Sequence, residues 1–222
     1  MLLAIAGHFP GAGYVDARGP PAAGDADIDA NLGRLPTLVT REGVAIGQSA
    51  AINHYVAGVT GLLGDGPLEA AQIIAFHEHL AELNQQFRKL VPYGVEPDAA
   101  KLATFFGASG ATDFAGPADG ASRDSRNLLW YMGRLERLVG DGFAVGGKLT
   151  LADVEVFRAF GDALSPEQAA PGLPAWRREP FSDASRTCAA LAAHPRLQKI
   201  VDNVGAHPNI KKWIEVRGPQ GF

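Results

Sequence analysis

The stretch VAIGQSAAINHYVAG, residues 44–58, joins a short apolar run to an amphipathic helical pattern through a polar break. The run at 44–46 is typical of a buried strand, and apolar residues recur at helical spacing from Ile52 to Val59. Residues 36–39 are suited to pair with this strand across a tight turn that ends in glycine. The sequence therefore predicts a small β-hairpin that leads directly into a helix.

The polar break at Gln48 and Ser49 is a candidate binding site. With Ser49 as the N-cap, a helix that begins at Ala50 presents free backbone N–H groups and the positive end of its dipole. Such a helix end attracts a carboxylate, and the Gln48 amide can both donate and accept hydrogen bonds. The structural alternative is an ordinary strand-to-helix turn with a serine cap.

Leu35 and Pro36 lie at the start of the other predicted strand of the hairpin. A cis bond between them would leave the Leu35 backbone open to pair with an extended peptide ligand. The sequence alone does not reveal the isomer.

The composition favours a globular protein without a strong electrostatic footprint. The chain has 222 residues, of which 46% are hydrophobic and 20% charged, so it can bury a sizeable core. Its net charge is -4 and its basic residues are dispersed, which gives no indication of a nucleic-acid or membrane-surface partner. No stretch approaches the ~20 apolar residues of a membrane span, and the opening MLLAIAG is a poor signal peptide. We expect a soluble, cytoplasmic protein that binds small molecules or other proteins.

Three side chains could react or bind a metal, but we expect neither role for them. Cys188 is the single cysteine, which excludes an intramolecular disulfide, and we expect a buried thiol in a reducing compartment. His77 and His79 are two residues apart and point to different sides of a helix, so we expect no metal site there.

The chain changes character near residue 60. Short β-type runs precede this point, including GYVDAR at 13–18, whereas long helical stripes follow it. The glycine-rich segment 58–67 is a predicted linker. We expect two domains, residues 1–59 and 67–222.

Helical periodicity dominates the second part. Apolar spacings of three and four, or a His-Pro start, predict helices near 68–90, 128–139, 197–204 and 210–216. Thr150 and Asp153 form a capping-box pattern at the start of a further, buried helix. Segments 107–120 and 164–181 are rich in glycine, alanine or proline and are predicted to be loops.

Four segments together resemble one family. GRLPTLV at 33–39, followed by GVAIGQSAAINHYVAG at 43–58, closely resembles the glutathione-binding half of the glutathione S-transferase family. GKLTLADVEVF at 147–157 resembles the family's helical-domain signature, and HPRLQKIVDNVGAHPNIKKWIEVRG at 194–218 resembles its C-terminal helices. The segments occur in the family's order and cover most of the chain.

The resemblance implies an α/β thioredoxin-like N-terminal domain, truncated here, followed by an all-α helical bundle domain, usually assembled as a homodimer. It also implies glutathione as co-substrate and no metal. Gln48 and Ser49 would hold the γ-glutamyl end of glutathione, Leu35 would pair through its backbone with the cysteinyl unit beside a cis Pro36, and Arg34 would meet the glycyl carboxylate. A glutamine at position 48 resembles the tyrosine-type classes, sigma-like above all.

The predicted helix over 68–90 carries Glu78, Glu82, Gln86 and Lys89 on its expected exposed face. The resemblance implies that Glu82, with Glu78 as a second candidate, reaches the amine of glutathione in a neighbouring subunit. The alternative is a solvated helix face.

The resemblance does not extend to the thiol-activating group. MLLAIAG matches the end of the family's first helix, and Tyr14 lies in the segment that matches the second strand, so the first strand and the catalytic hydroxyl are expected upstream of Met1. No catalytic residue is therefore assigned in this chain. The two interpretations are a truncated product of a longer reading frame and a divergent member that lost catalysis.

The predicted function is a glutathione transferase that conjugates the glutathione thiolate to small hydrophobic electrophiles, with a role in detoxification. The alternatives are a non-catalytic glutathione-binding or structural protein and a glutathione-dependent isomerase. Four aromatic residues could line an electrophile pocket, although at helical spacing they are also typical of plain core: Phe87, Phe105, Phe106 and Tyr131.

Overall fold

The computed structural model describes residues 1–17, 26–107, 126–162, 172–178 and 180–217. The loop predicted at 107–120, apart from Gly107, and residues 164–171 of the other predicted loop lie outside these ranges.

A two-stranded hairpin is the β-structure at the centre of the first part. Strand β1 (Thr37–Val39) pairs antiparallel with β2 (Ala45–Gly47), so that Thr37 lies opposite Gly47. This confirms the predicted hairpin. A 3₁₀ helix (Ala26–Asn31) packs against both strands.

The α-helices of the described residues follow the hairpin, except for the first. They are α1 (Leu2–Ile5), α2 (Ser49–Val59), α3 (Pro67–Leu90), α4 (Ala99–Phe105), α5 (Leu128–Leu138), α6 (Leu151–Phe160), α7 (Ala184–Ala192), α8 (Pro195–Ala206) and α9 (Pro208–Val216). Helices α3, α5, α8 and α9 match the helices predicted from periodicity and from the His-Pro pairs. Among the described residues, none of these helices combines the length and apolar character needed to cross a membrane.

The strand predicted at 13–18 is wrong over the part that the structure describes. Tyr14 forms only an isolated bridge with Pro10, and the residues that follow, to position 17, have no regular structure. Val15 is 90% exposed, and no neighbouring strand among the described residues offers it a ladder. The alternating pattern there has no sheet to join.

Helix α3 buries one long stripe against the bundle. Ile73, Phe76, Leu83 and Phe87 are buried, as the periodicity predicts. Gln86, expected on the exposed face, is buried as well. It lies three residues after Leu83 and beside Phe87, so helical geometry places it at the margin of the apolar stripe.

Helix α6 begins at a buried position in the bundle, and the predicted capping box at its start is confirmed. The Asp153 carboxylate accepts hydrogen bonds from the Thr150 backbone N–H and Oγ1, both at 2.7 Å, and from the Ala144 N–H at 2.6 Å. Thr150 and Asp153 have no solvent exposure. Burial raises the pKa of Asp153, while these hydrogen bonds act in the opposite direction.

The segment between α2 and α3 is docked rather than free. The Leu62 side chain is buried, and its carbonyl accepts a 2.8 Å hydrogen bond from the Leu151 N–H at the start of α6. The predicted linker therefore supplies an acceptor for a backbone donor that the first turn of α6 leaves open.

Cys188 is exposed on α7, which corrects the expectation of a buried thiol. The buried residues of this helix are Thr187 and Leu191, four apart, so they define the face that meets the bundle. Cys188 lies one position off that stripe and faces outward.

Candidate functional site

The hairpin brings the two halves of the predicted site to one end. Because Thr37 pairs antiparallel with Gly47, the residues just before β1 lie beside those just after β2. Leu35 and Pro36 are thereby placed next to Gln48 and Ser49. All four are exposed, and the Leu35–Pro36 peptide bond is cis.

The Leu35 backbone is available at this end. Among the described residues, neither its N–H nor its carbonyl takes part in a backbone hydrogen bond. The Leu35 side chain is 54% exposed. An extended chain laid along this segment would find both a donor and an acceptor.

Asn31 fixes the loop that carries Leu35 and Pro36. Its side chain is 3% exposed, and its Nδ2 donates to the Pro36 carbonyl at 3.0 Å. The exposed Arg34 stays close, because its Nε donates to the Asn31 carbonyl at 3.3 Å. This buried asparagine was missed from the sequence.

Gly47 allows the turn to approach the 3₁₀ helix. A Cβ at this position would collide with the Ala30 carbonyl oxygen and would lie 2.6 Å from the Asn31 Cβ. The glycine immediately before Gln48 was the sequence signal for this close approach.

The helix start differs from the expectation by one position. Helix α2 begins at Ser49, and Gln48 occupies the N-cap position with φ 67° and ψ 124°. Ser49 is therefore not the N-cap, because the left-handed backbone that breaks the helix is at Gln48. Neither side chain caps the helix through a hydrogen bond.

The N-terminal end of α2 is open to a ligand. The first bond within the helix is from the Ile52 N–H to the Gln48 carbonyl at 3.0 Å. The N–H groups of residues 49–51 precede it and have no acceptor within the helix. These donors, the Gln48 amide and the Ser49 hydroxyl form a set that suits a carboxylate beside an amine.

Glu82 occupies a different place. It is half-buried in a cleft of about 310 Å³ between α3 and α5, which His79, Arg126, Trp130 and Tyr131 also line. No hairpin residue contributes to the described lining of this cleft. The structure thus places Arg34, Leu35 and Pro36 at the same end of the hairpin as Gln48 and Ser49. Glu82 lies apart from them, in the α3–α5 cleft.

The aromatic candidates for an electrophile pocket are mostly core. Phe87 and Phe105 are each 1% exposed, with ring centroids 5.1 Å apart, and Phe181 completes the cluster. Tyr131 is 3% exposed, and Phe106 is half-buried. The core interpretation fits Phe87 and Phe105, whereas Tyr131 also lines the α3–α5 cleft.

His77 points to Glu155 and away from His79. Its Nδ1 lies 2.8 Å from Glu155 Oε1, whereas His79 is exposed. Within the described ranges, no three His, Cys, Asp or Glu side chains are grouped so that they could hold a metal ion.

Sequence comparison gives the family. Glutathione S-transferase 1 of Ascaris suum is 30% identical over 195 residues, a match that covers 84% of this chain and 75% of that protein. The chain belongs to the glutathione S-transferase family. No protein-family model matches it.

Solved structures of the family share the fold. A glutathione S-transferase from Necator americanus, described as monomeric, aligns with a TM-score of 0.62 at 21% identity, covering 100% of this chain and 91% of that one. A nematode glutathione S-transferase specific to C. elegans aligns at 0.63 and 23% identity, covering 100% and 90%. These likenesses confirm the expected fold class, a small thioredoxin-like α/β part followed by an all-helical bundle.

Proposed function

We propose that this protein is a glutathione transferase that conjugates the glutathione thiolate to small hydrophobic electrophiles, with a role in detoxification. The observation that supports this best is the register of the hairpin. Thr37 opposite Gly47 brings Leu35 and Pro36 beside Gln48 and Ser49, in a chain of the glutathione S-transferase family. Fold alone would not justify the activity, but this arrangement of exposed groups suits one tripeptide.

Each part of glutathione has a partner in the proposed complex. The γ-glutamyl carboxylate accepts hydrogen bonds from the free N–H groups at the start of α2, and the Gln48 amide and Ser49 hydroxyl hold the same end. The cysteinyl unit pairs with the Leu35 backbone beside Pro36. Arg34 faces the glycyl carboxylate as an exposed guanidinium.

The reaction is a nucleophilic attack by sulfur. The thiol gives up its proton to water, the thiolate forms a bond to an electrophilic carbon, and the displaced group leaves with the bonding electron pair. The protein contributes by binding the tripeptide and by holding its sulfur in place. No residue of this chain is assigned to thiol activation.

The proposed assembly is a cytoplasmic homodimer. A thioredoxin-like domain at 1–59 supplies the hairpin site, and a helical domain at 67–222 supplies Glu82. From the α3–α5 cleft, Glu82 would reach the glutathione amine of the partner subunit. The electrophile would be held by the helical domain.

Titration of the 222-residue protein with glutathione across pH, followed by the ultraviolet absorbance of bound thiolate, tests the proposal. We expect saturable binding and a thiolate signal at neutral pH. Gln48→Ala and Ser49→Ala should each weaken binding by about tenfold, since each removes a hydrogen bond worth about 1 kcal/mol or more to a charged group. Gln72→Ala and Ser185→Ala, at exposed positions elsewhere, are the matched controls.

The outcomes separate the alternatives. No saturable binding would refute the proposal. Binding that depends on Gln48 and Ser49 but gives neither thiolate nor product with any standard electrophile would instead identify a non-catalytic glutathione-binding protein. Turnover by rearrangement of a substrate without conjugation would identify the isomerase.

A further inference from the structure

A buried carboxylate joins three helices outside the hairpin site. Glu155 on α6 is 5% exposed, and His77 on α3 approaches both of its oxygens, at 2.8 and 2.9 Å. Asn53 on α2 donates from Nδ2 to Oε1 at 3.3 Å. The proposed reaction uses none of these three side chains.

A carboxylate at this depth requires its partners. Removing an ionised group from water costs several kcal/mol unless opposite charge and hydrogen bonds compensate. Asp153, on the same helix, is compensated by backbone donors at the helix start, whereas the contacts of Glu155 come from two other helices. Glu155 therefore depends on the relative positions of α2 and α3.

The groups around His77 favour its protonated form. The hydrogen bond to Glu155 raises the pKa of His77, burial lowers it, and the charges of Glu155 and Glu78 raise it while that of Arg158 lowers it. The net direction is upward. From α2, the His54 ring packs edge-on against the His77 ring, with centroids 5.6 Å apart.

The contact to Asn53 connects this cluster to the candidate site. Asn53 lies four residues after Ser49, which is about one turn along α2. Any shift of α2 at Asn53 is transmitted to Gln48 and Ser49, because a single helical turn separates them and the helix is rigid on that length.

We propose that Glu155, His77 and Asn53 form a polar clamp that holds α2, and with it the Gln48–Ser49 turn, against the helical bundle, and that the clamp loosens as His77 loses its proton. The three are positioning residues. Their link to glutathione affinity rests on the proposed function, whereas the clamp itself does not.

The sign of the pH dependence follows from the protonated pair. Imidazolium and carboxylate attract each other, so the clamp is strongest below the ordinary pKa of histidine. Its contribution is lost as the pH rises through the elevated pKa of His77, where a neutral hydrogen bond remains. Helix α2 should therefore open more readily at alkaline pH.

Hydrogen exchange of the α2 amides, with NMR titration of the His77 ring, tests the clamp without glutathione. Protection factors of residues 53–59, corrected for the intrinsic exchange rate at each pH, should fall as His77 titrates. The fall should be about tenfold for each unit by which the His77 pKa with α2 closed exceeds its pKa with α2 open.

Three variants locate the effect. His77→Asn keeps a donor near Glu155 but cannot ionise, and Glu155→Gln removes the charge; both should abolish the pH step. His79→Asn, an exposed neighbour on the same helix, should retain it. If Glu155→Gln does not fold, His77→Asn still decides the question.

Constant protection while His77 titrates, or a step that persists in His77→Asn, would overturn the clamp. A second arm measures glutathione affinity of the wild type relative to His77→Asn across the same pH range, so that the ligand's own ionisation cancels. We expect this ratio to fall in parallel with α2 protection. Failure of the wild type to bind glutathione at all would refute the proposed function, and the exchange data would still decide the clamp.

Discussion

Helix α6 and the end of the hairpin differ in how far their polar side chains are buried and hydrogen-bonded. Eight of the ten residues of α6 are buried, including Asp153 and Glu155, and both carboxylates are hydrogen-bonded to neighbouring segments. None of the six residues of β1 and β2 is buried, and Gln48 and Ser49 at their end are exposed. The two buried carboxylates of α6 therefore have hydrogen-bond partners within the protein, whereas Gln48 and Ser49 are open to solvent.

This difference predicts whether a substitution changes the stability of the protein or its ligand binding. A polar group whose partners are buried donors leaves those donors unsatisfied when it is removed, which costs stability. A polar group that water already solvates can be removed at little cost to the fold, but its loss is felt when the ligand binds. Stability and binding should therefore separate between the two regions.

Asp153→Ala should have the largest effect on stability. It leaves the Thr150 and Ala144 N–H groups without their acceptor in a fully buried position, so we expect the free energy of unfolding to fall by about 3–4 kcal/mol. Denaturant titration measures this change. Asp98→Ala is the matched control: Asp98 caps α4 through the Ala100 and Lys101 N–H groups at an exposed site, where a loss of about 1 kcal/mol is expected. Equal losses in the two variants would contradict the contrast.

Gly47→Ala should disturb the hairpin end through packing. The added methyl meets the Ala30 carbonyl and the Asn31 Cβ, so the turn or the 3₁₀ helix must move, and we expect a loss of about 1–3 kcal/mol together with weaker glutathione binding. Thermal unfolding and glutathione titration measure the two effects. Gly58→Ala, within α2 and with only ordinary contact to Leu63, should be neutral or slightly stabilising.

Gln48→Gly should reduce glutathione binding without reducing the stability of the fold. Glycine accepts a positive φ without the penalty that a side chain incurs, so we expect unchanged or slightly increased stability, by no more than about 1 kcal/mol. Glutathione affinity should nevertheless fall, because the amide is lost. Unfolding and titration of the same preparation test both statements, and a marked loss of stability would show that the Gln48 side chain supports the hairpin.

Cys188→Ser should have the smallest effect. Because the thiol is exposed, we expect stability to change by no more than about 0.5 kcal/mol. The native wild-type protein should react with a thiol reagent at one equivalent without prior unfolding. A thiol that reacts only in denaturant would place Cys188 in the interior after all.

Much of the fold follows from local pattern. The helix predicted over 68–90 is observed as Pro67–Leu90 because its apolar residues recur at helical spacing from Ile73 to Leu90, and the hairpin follows from two apolar runs around a tight turn. The pattern at 13–18 failed because alternation predicts a strand only where a second strand can pair with it. The prediction that Cys188 is buried was wrong because the sequence of an alanine-rich helix does not show clearly which face is buried.

The candidate site was predictable in part. Four of its residues, Leu35, Pro36, Gln48 and Ser49, were identified from the turn chemistry and the family resemblance, and the hairpin brings them together. Asn31 was missed because a buried asparagine leaves no periodic signal. The His77–Glu155 contact joins residues 78 positions apart, and no local spacing rule relates them.

The hydrogen bond from Leu151 to the Leu62 carbonyl has a consequence for how the molecule comes apart. It attaches the segment between the two proposed domains to the start of α6, the most buried helix. This segment is therefore packed against the bundle and does not serve as a flexible hinge. Separating the hairpin part from the bundle would leave the Leu151 N–H of α6 without this acceptor, which makes independent melting of the two parts unfavourable. Calorimetry should therefore record a single cooperative transition, with equal calorimetric and van't Hoff enthalpies.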